Sequence, residues 1–434
     1  MVFQENFLQL VWKYQYFDKN DLRSTLGIPL SIKKIGFHNF HEGPDFLEAQ
    51  VDIGKLTYYG HIEIHLKSSD WLAHEHQTDG RYESVILHVV YEHDKEIKHP
   101  DGTPIPTLEL KGKIFLDVLR NYERLISGQQ NILCSETLGE VSDILKFSML
   151  EKALVERFLE KSLTVKKLLE ENMGDWEETT YQWLFHCFGF KTNSQAMLLL
   201  AKSLPYKLIK KHANHPGIVE ALLLGQAGLL ENNQPDEYTL FLKREFEFHQ
   251  KKYQLPQSLF HTDWKFMGIR PGNFPSVRIV QLAHILCKSP NLLSTILTAA
   301  NTMESMKGIF LKEVPMYWTH HYAPSKTTQR KLGKALSAQT LHLLAINFVV
   351  PLWFAYGQYI DDQTWQDKCF DFLQALQAED NFIIKRFRDI NWAASTAFDT
   401  QGMIGLHNNY CIQKKCLDCK IGQNVLRPNM KQLT

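Results

Sequence analysis

Between residues 57 and 67 the chain reads TYYGHIEIHLK, and its side chains sort by alternation. Thr57, Tyr59, His61, Glu63, His65 and Lys67 fall on one side, and Tyr58, Gly60, Ile62, Ile64 and Leu66 on the other. A period of two is the signature of an extended strand with one apolar face, because successive strand side chains point to opposite sides of the sheet. The preceding FLEAQVDIG (46–54) alternates as well, and Gly54-Lys55 between the two runs is where a tight hairpin turn belongs. SVILHVVYEH (84–93) and IPTLEL (105–110) are two further strands. Between the second and third strands, SSDWLAHEHQTDGRYE (68–83) predicts a helix or ordered loop with Ser69 or Asp70 as N-cap. The amphipathic opening, MVFQENFLQLVWKYQYF, predicts a helix of the mature protein, since it has no basic n-region, long apolar run or cleavage site.

After about residue 112 the period changes to that of helices. FSMLEKALVERFLEKSLTVKKLLEEN (147–172) carries apolar residues at three- and four-residue steps, and similar segments continue to about residue 400. The expected architecture is α+β. It has an N-terminal α/β sheet domain (1–112), a large helical domain (113–400) and a cysteine-rich metal knuckle with a basic tail (401–434). With 434 residues the chain is long enough for several cores. Its formal net charge of zero signals no nucleic-acid or membrane partner for the molecule as a whole, so any such surface must be local. LHLLAINFVVPLWFAYG (341–357) is the most apolar segment, but Asn347 and Pro351 interrupt it, which suits a buried helix better than a membrane span. Seven scattered cysteines in a long chain point to a reducing cytoplasm. The sequence carries no signal of oligomeric state.

Asp45 stands eighteen residues before Glu63, at the start of the hairpin. A hairpin can bring the two carboxylates together, and two carboxylates with a backbone carbonyl make an oxygen-rich site for Mg²⁺ or Mn²⁺. Such an ion activates water and neutralises charge on a phosphodiester. Pro44-Asp45, a hairpin and Glu63-Ile64-His65 resemble the signature of PD-(D/E)XK nucleases, and the element order resembles that fold's α-β-β-β-α-β core. The resemblance implies that Asp45 and Glu63 are metal ligands, helped by the Ile64 carbonyl, with Glu42 as an additional acid. It departs at His65, where these nucleases usually carry lysine. His65 can act as a ligand or a general base instead, and Lys67 on the same face can substitute for the lysine. Two functions stay open. One is a metal-dependent nuclease; the other is a non-catalytic nucleic-acid-binding or scaffolding protein with a structural metal.

Over nearly its whole length the chain also resembles a bacterial family designated DUF2851. HNFHEGPDF, GHIEIHLKSSDW, VILHVVYEHD, RPGNFPSVRIVQLA and NNYCIQKKCLDCKIG carry the likeness. It implies no activity.

Nine of the nineteen histidines precede residue 100, so histidine chemistry concentrates near the hairpin. Trp71, His74, Asp79 and Tyr82 can support a site there. His74 and His76 are two apart and would not share a helix face; singly, these histidines are expected to be hydrogen-bonded structural residues. Near the C-terminus, Cys411, Cys416 and Cys419 are spaced C-x4-C-x2-C, a pattern suited to Zn²⁺ or an iron–sulfur cluster. His407 is the expected fourth ligand, with Cys134, Cys187, Cys287 and Cys369 as distant alternatives. Residues 411–434 hold five Lys/Arg and one Asp, a local basic surface that can touch phosphates. Arg270 and Arg278 flank a loop and helix start that would either hold a phosphate or be tied down internally. Phosphate-binding, dinucleotide and nucleophile-elbow motifs are absent from the sequence.

Overall fold

The computed structural model describes residues 4–128, 130–231, 233–256, 259–329, 331–333 and 335–428. The chain divides into two compact units: Met1–Glu151 with Asp389–Asn391 and Gly405–Thr434, and Lys152–Arg388 with Trp392–Ile404.

The first unit opens with helix α1 (Glu5–Tyr14), whose Phe7, Leu8, Leu10, Val11 and Trp12 are buried. It stops where Gln15 turns left-handed (φ 52°), and the Gln15 and Tyr16 amides return to the Trp12 and Val11 carbonyls. Strands β1 (Leu30–Lys34), β2 (Phe37–His38), β3 (Phe46–Ile53), β4 (Leu56–Lys67), β5 (Val85–Glu92) and β6 (Thr107–Glu109) form one sheet. Its order is β1-β3-β4-β5-β6, with β2 beside β3. The pairings of β1, β2 and β4 with β3 are antiparallel, and β4–β5 and β5–β6 are parallel. A parallel neighbour cannot be reached by a tight turn. Residues 68–84 supply the crossover through helix α2 (Asp70–Ala73) and the single turns His76–Thr78 and Gly80–Tyr82.

One face of the sheet is apolar. Ile62 and Ile64 of β4 and Leu87 and Val89 of β5 pack with α1 and with Val118, Tyr122 and Leu125 of helix α3 (Leu116–Ser127) in a single core. The Phe7 and Tyr122 rings stack at 4.0 Å. The opposite face carries Glu63, His65 and His88, and over these residues it is not wet: the three are 4%, 0% and 0% exposed. The crossover lies over this side, where Trp71, Tyr82, Val85, Ile97 and Ile105 form a smaller cluster.

The four strands expected from the alternation are β3, β4, β5 and β6. The short β1 and β2 were not anticipated. The expected boundary at residue 112 falls inside the first unit, because α3 buries its apolar stripe against the sheet core. The cysteine segment belongs to the same unit, and Leu426 is a fully buried member of that core. Residues 429–434, including Lys431 of the expected basic tail, lie outside the described residues.

The second unit is helical and built on one large apolar core that includes Trp183, Phe185, Leu222, Ile279 and Trp353. It also holds a small antiparallel ribbon, His321–Ala323 with Lys326–Thr327. Its helix Ala338–Tyr359 is long and apolar enough to cross a membrane, but 72% of that apolar window is buried inside the protein. Residues Ala345–Val349 form a π turn just before Pro351, whose missing N–H leaves the helical ladder incomplete.

Candidate metal centre

Asp45 and Glu63 meet. Phe46 pairs with Ile62 across β3 and β4, which sets Asp45 opposite Glu63. Beyond Phe46 the register slips until Ala49 pairs with Gly60, and Glu48 inside the slip adopts φ 56°. Irregularities of this kind re-aim side chains beside functional sites. The Asp45 amide donates to Glu63 Oε2 at 3.0 Å. Asp45 Oδ2 accepts from the Ile64 amide at 3.0 Å, and Oδ1 accepts from Gln9 Nε2 at 2.7 Å. The backbone between Glu63 and His65 is therefore bound to Asp45 through its N–H.

Glu63 Oε1 faces a group of imidazoles. It lies 3.5 Å from His65 Nε2 and 3.3 Å from His76 Nε2, and His65 Nε2 is 3.1 Å from His74 Nδ1. The ligand nitrogens of His65, His74 and His76 all fall within 4.8 Å of one another. Donors on an ion with bonds of about 2.1 Å stand about 3.0–3.4 Å apart, so the three short separations suit a shared ion. On its other side, His65 Nδ1 is 2.8 Å from His88 Nε2. That contact leaves His65 Nε2 directed at Glu63 and His74. Apart from its approach to Glu63, His76 Nε2 is buried with no hydrogen-bond partner among the described residues, whereas buried polar atoms of folded proteins are mostly paired. His74 is exposed, so the group opens to solvent on one side.

Two local events place the histidines. His74 ends α2, and Glu75 then takes φ 61°, which turns the chain and starts a new turn at His76. Two residues that a continuous helix would splay apart are thereby aimed at the same point. The helical reading of this segment hid the pair; the His-x-His spacing in a segment too short and polar for a long helix was the available signal.

Burial dominates the electrostatics. It raises the proton affinity of Asp45, and the neighbouring Glu63 and Glu5 add to the rise. Glu63 is raised by burial and by Glu5, against the Asp45 amide, which lowers it. Burial pushes His65 down to about 2, with His88, His76 and His74 adding to it, and pushes His88 down to about 3. His65 is therefore neutral near pH 7, and its approach to Glu63 is a contact between a carboxyl group and an uncharged imidazole rather than an ion pair. A neutral imidazole is the form that binds metal. Glu5, reaching in from α1, is itself raised by burial.

The other expected members of the site lie outside it. Lys67 is exposed at the end of β4, and its amide donates to Asp70 Oδ2 at 2.9 Å. Glu42 is exposed and paired with Arg81 at 2.5 Å. Arg278 is buried and bonded to Asn273, Gln281 and Thr340, an internal tie of the loop rather than an anion site; Arg270 is exposed.

At the C-terminal end, Cys411 closes a π turn that begins at His407, with the Ile412 amide returning to the His407 carbonyl at 2.9 Å. Cys416 and Cys419 bracket a turn that leads into the helix Lys420–Val425. His407 is buried, with Nδ1 at 3.1 Å from Asn408 Oδ1. None of the seven cysteines, all among the described residues, forms a disulfide.

No curated protein and no solved structure matches the chain. A family model described as a protein of unknown function, DUF2851, matches residues 5–382. That stretch contains Asp45, Glu63 and the histidine group and ends before Cys411. With most of its length matched, the chain belongs to the DUF2851 family.

Proposed function

We propose that the first unit is a metal-dependent phosphodiesterase acting on nucleic acid in a reducing cytoplasm, with Glu63, His65, His74 and His76 holding a divalent ion beside Asp45. The observation that carries this reading is the convergence of a carboxylate and three imidazoles, open to solvent at His74, one hydrogen bond from a second, half-buried carboxyl. With the two-residue β2 set aside, the succession α1, β1, β3, β4, α2, β5 has the order of types of the α-β-β-β-α-β nuclease core, which supports the reading. Three nitrogen donors suit Mn²⁺, Zn²⁺ or Fe²⁺ better than Mg²⁺, so the Mg²⁺-or-Mn²⁺ expectation narrows to Mn²⁺ with imidazole-seeking ions beside it.

When bound, the ion supplies charge neutralisation at the phosphoryl oxygens and a more acidic water. The chain's own groups do the rest. Glu63 would help hold the ion, with Oε1 facing the imidazoles and Oε2 accepting from the Asp45 amide. His88 orients His65. Asp45, bonded to Glu63 through its amide, would take the proton of the attacking water once the ion's charge lets its carboxyl ionise. Gln9 and the Ile64 amide fix its carboxyl group.

Incubation with labelled single- and double-stranded DNA and RNA and Mn²⁺, Mg²⁺ or Zn²⁺ tests this. Cleavage is expected with Mn²⁺, abolished by chelation and reduced about 100-fold or more in Glu63→Gln and Asp45→Asn. Retention of nucleic acid with no cleavage under any ion would replace the enzyme by the binding protein. The histidine in the lysine position is the feature that favours that second reading.

A further inference from the structure

The first unit also holds four cysteines, a residue type that ligates metals, and they share no residue with the site above. Cys134 lies in the loop after α3, where the Thr137 amide turns back to its carbonyl at 3.1 Å. Leu133, Ser135 and Thr137 line one cavity of about 300 Å³ together with Val425. The Cys134 loop therefore lies against the helix that follows Cys419. Cys134 and Cys416 pack on the same apolar core. The turn that carries Cys416 is tight: the Cys419 amide donates to the Cys416 carbonyl at 3.3 Å, and a Cβ on Gly422 would run into that carbonyl. On the far side, the Lys415 amide returns to the Tyr410 carbonyl at 2.9 Å and folds the Cys411 turn back onto the same segment.

We propose that Cys134, Cys411, Cys416 and Cys419 form a four-thiolate metal centre, binding one Zn²⁺ or one iron–sulfur cluster and joining the loop after α3 to the C-terminal segment. The thiols act on one another. After burial, Cys411 feels Cys134, Cys419 and Cys416, and Cys134 feels Cys419 and Cys416. Burial raises the proton affinity of Cys134, Cys411 and Cys416, and a bound cation would displace those protons. For Zn²⁺ the exchange is four S–H bonds broken, four Zn–S bonds formed and four protons released, leaving two net negative charges. Lys414 acts on Cys416 in the stabilising direction, and Lys420 is held nearby by Ser148 Oγ at 2.6 Å. Four cysteines also complete a closed tetrahedral site or an iron–sulfur cluster without His407.

The test uses the full chain, purified without oxygen or reconstituted with Zn²⁺ or with iron and sulfide. Its readouts are zinc, iron and acid-labile sulfide per chain, together with visible absorption. The wild type is expected to hold Zn²⁺ without colour, or iron and sulfide with a visible band. In a His74→Ala background, which removes a ligand of the histidine site, Cys134→Ser and Cys416→Ser should each lose that metal, and His407→Ala should keep it. Wild-type metal content in Cys134→Ser, its loss in His407→Ala, or no bound metal after either reconstitution would overturn the proposal. Should Cys134→Ser fail to fold, alkylation of the wild type read by mass spectrometry decides. Cys134, Cys411, Cys416 and Cys419 should become reactive together on metal removal; Cys134 reacting at the same rate before and after would contradict the centre.

Discussion

His65 sits at 0% exposure between four partners: Glu63, His74, His76 and His88. An uncompensated charge there would cost several kcal/mol, so it remains neutral until strong acid. The site's histidines and carboxyls therefore pull stability in opposite directions with pH. His65 and His88 have folded values of about 2 and 3 against an ordinary 6.5, so the unfolded chain binds more protons between those limits and stability rises with pH across them. Asp45 and Glu63 are raised above 3.8 and 4.5, so the folded chain binds more protons above those values and stability falls as pH rises toward their folded values. Above about pH 7.5 the unfolded histidines are largely deprotonated as well, and of these four groups the carboxyls alone act. Metal-free protein should thus lose thermal stability above about pH 7.5, and Asp45→Asn should flatten the slope. A tenfold change in proton affinity is about 1.4 kcal/mol, and each kcal/mol moves the midpoint by about 2–4 °C in a unit of this size. A melt of chelated protein across that range checks it; a midpoint rising with pH would contradict the assignment. His88 gives a second residue-scale prediction. It positions His65 without approaching the ion, so His88→Ala should weaken metal binding about 10- to 100-fold while leaving the fold intact by circular dichroism.

Among the elements, β4 carries the most. Its alternation made the apolar face and the Glu63–His65–Lys67 row legible, and the parallel partner β5 brought His88 opposite Glu63. What stayed hidden depends on single backbone angles and on residues far apart in sequence. The left-handed Glu75 turns His76 toward His74, and a continuous-helix reading cannot anticipate it. Gln9 and Glu5 reach the site from α1, thirty-six or more residues before Asp45, and no local pattern marks them. Lys67 was legible as a same-face residue, but the row leaves the buried part of the sheet before reaching it. Gly60 is required where β4 meets the start of β5, since a Cβ there would collide with the Ser84 carbonyl and sit 2.5 Å from Ile86 Cγ2. Gly60→Ala should cost about 1–3 kcal/mol in denaturant unfolding of the first unit and lower metal affinity with it. An unchanged midpoint would mean the two strands can part freely.

For the whole molecule, two apolar cores correspond to the two compact units. The change from period two to period 3.6 near residue 112 announced an α+β chain. The return of residues 405–428 to the sheet unit could not be read from that change, because it rests on tertiary contacts such as Leu426 in the sheet core and Tyr14 Oη to Gln423 at 3.0 Å. Both candidate metal sites belong to the sheet unit. Calorimetry with and without a chelator should therefore move a transition of that unit and leave the helical one in place; equal shifts of all transitions would argue against this placement. The central claim, that Glu63, His65, His74 and His76 hold one ion, is tested most directly by Mn²⁺ titration followed by electron paramagnetic resonance. The account predicts one Mn²⁺ per chain with nitrogen couplings from imidazole, at least tenfold weaker binding in Glu63→Gln and His74→Ala, and no change in Cys416→Ser. Mn²⁺ bound equally well by Glu63→Gln, or bound without nitrogen coupling, would contradict it.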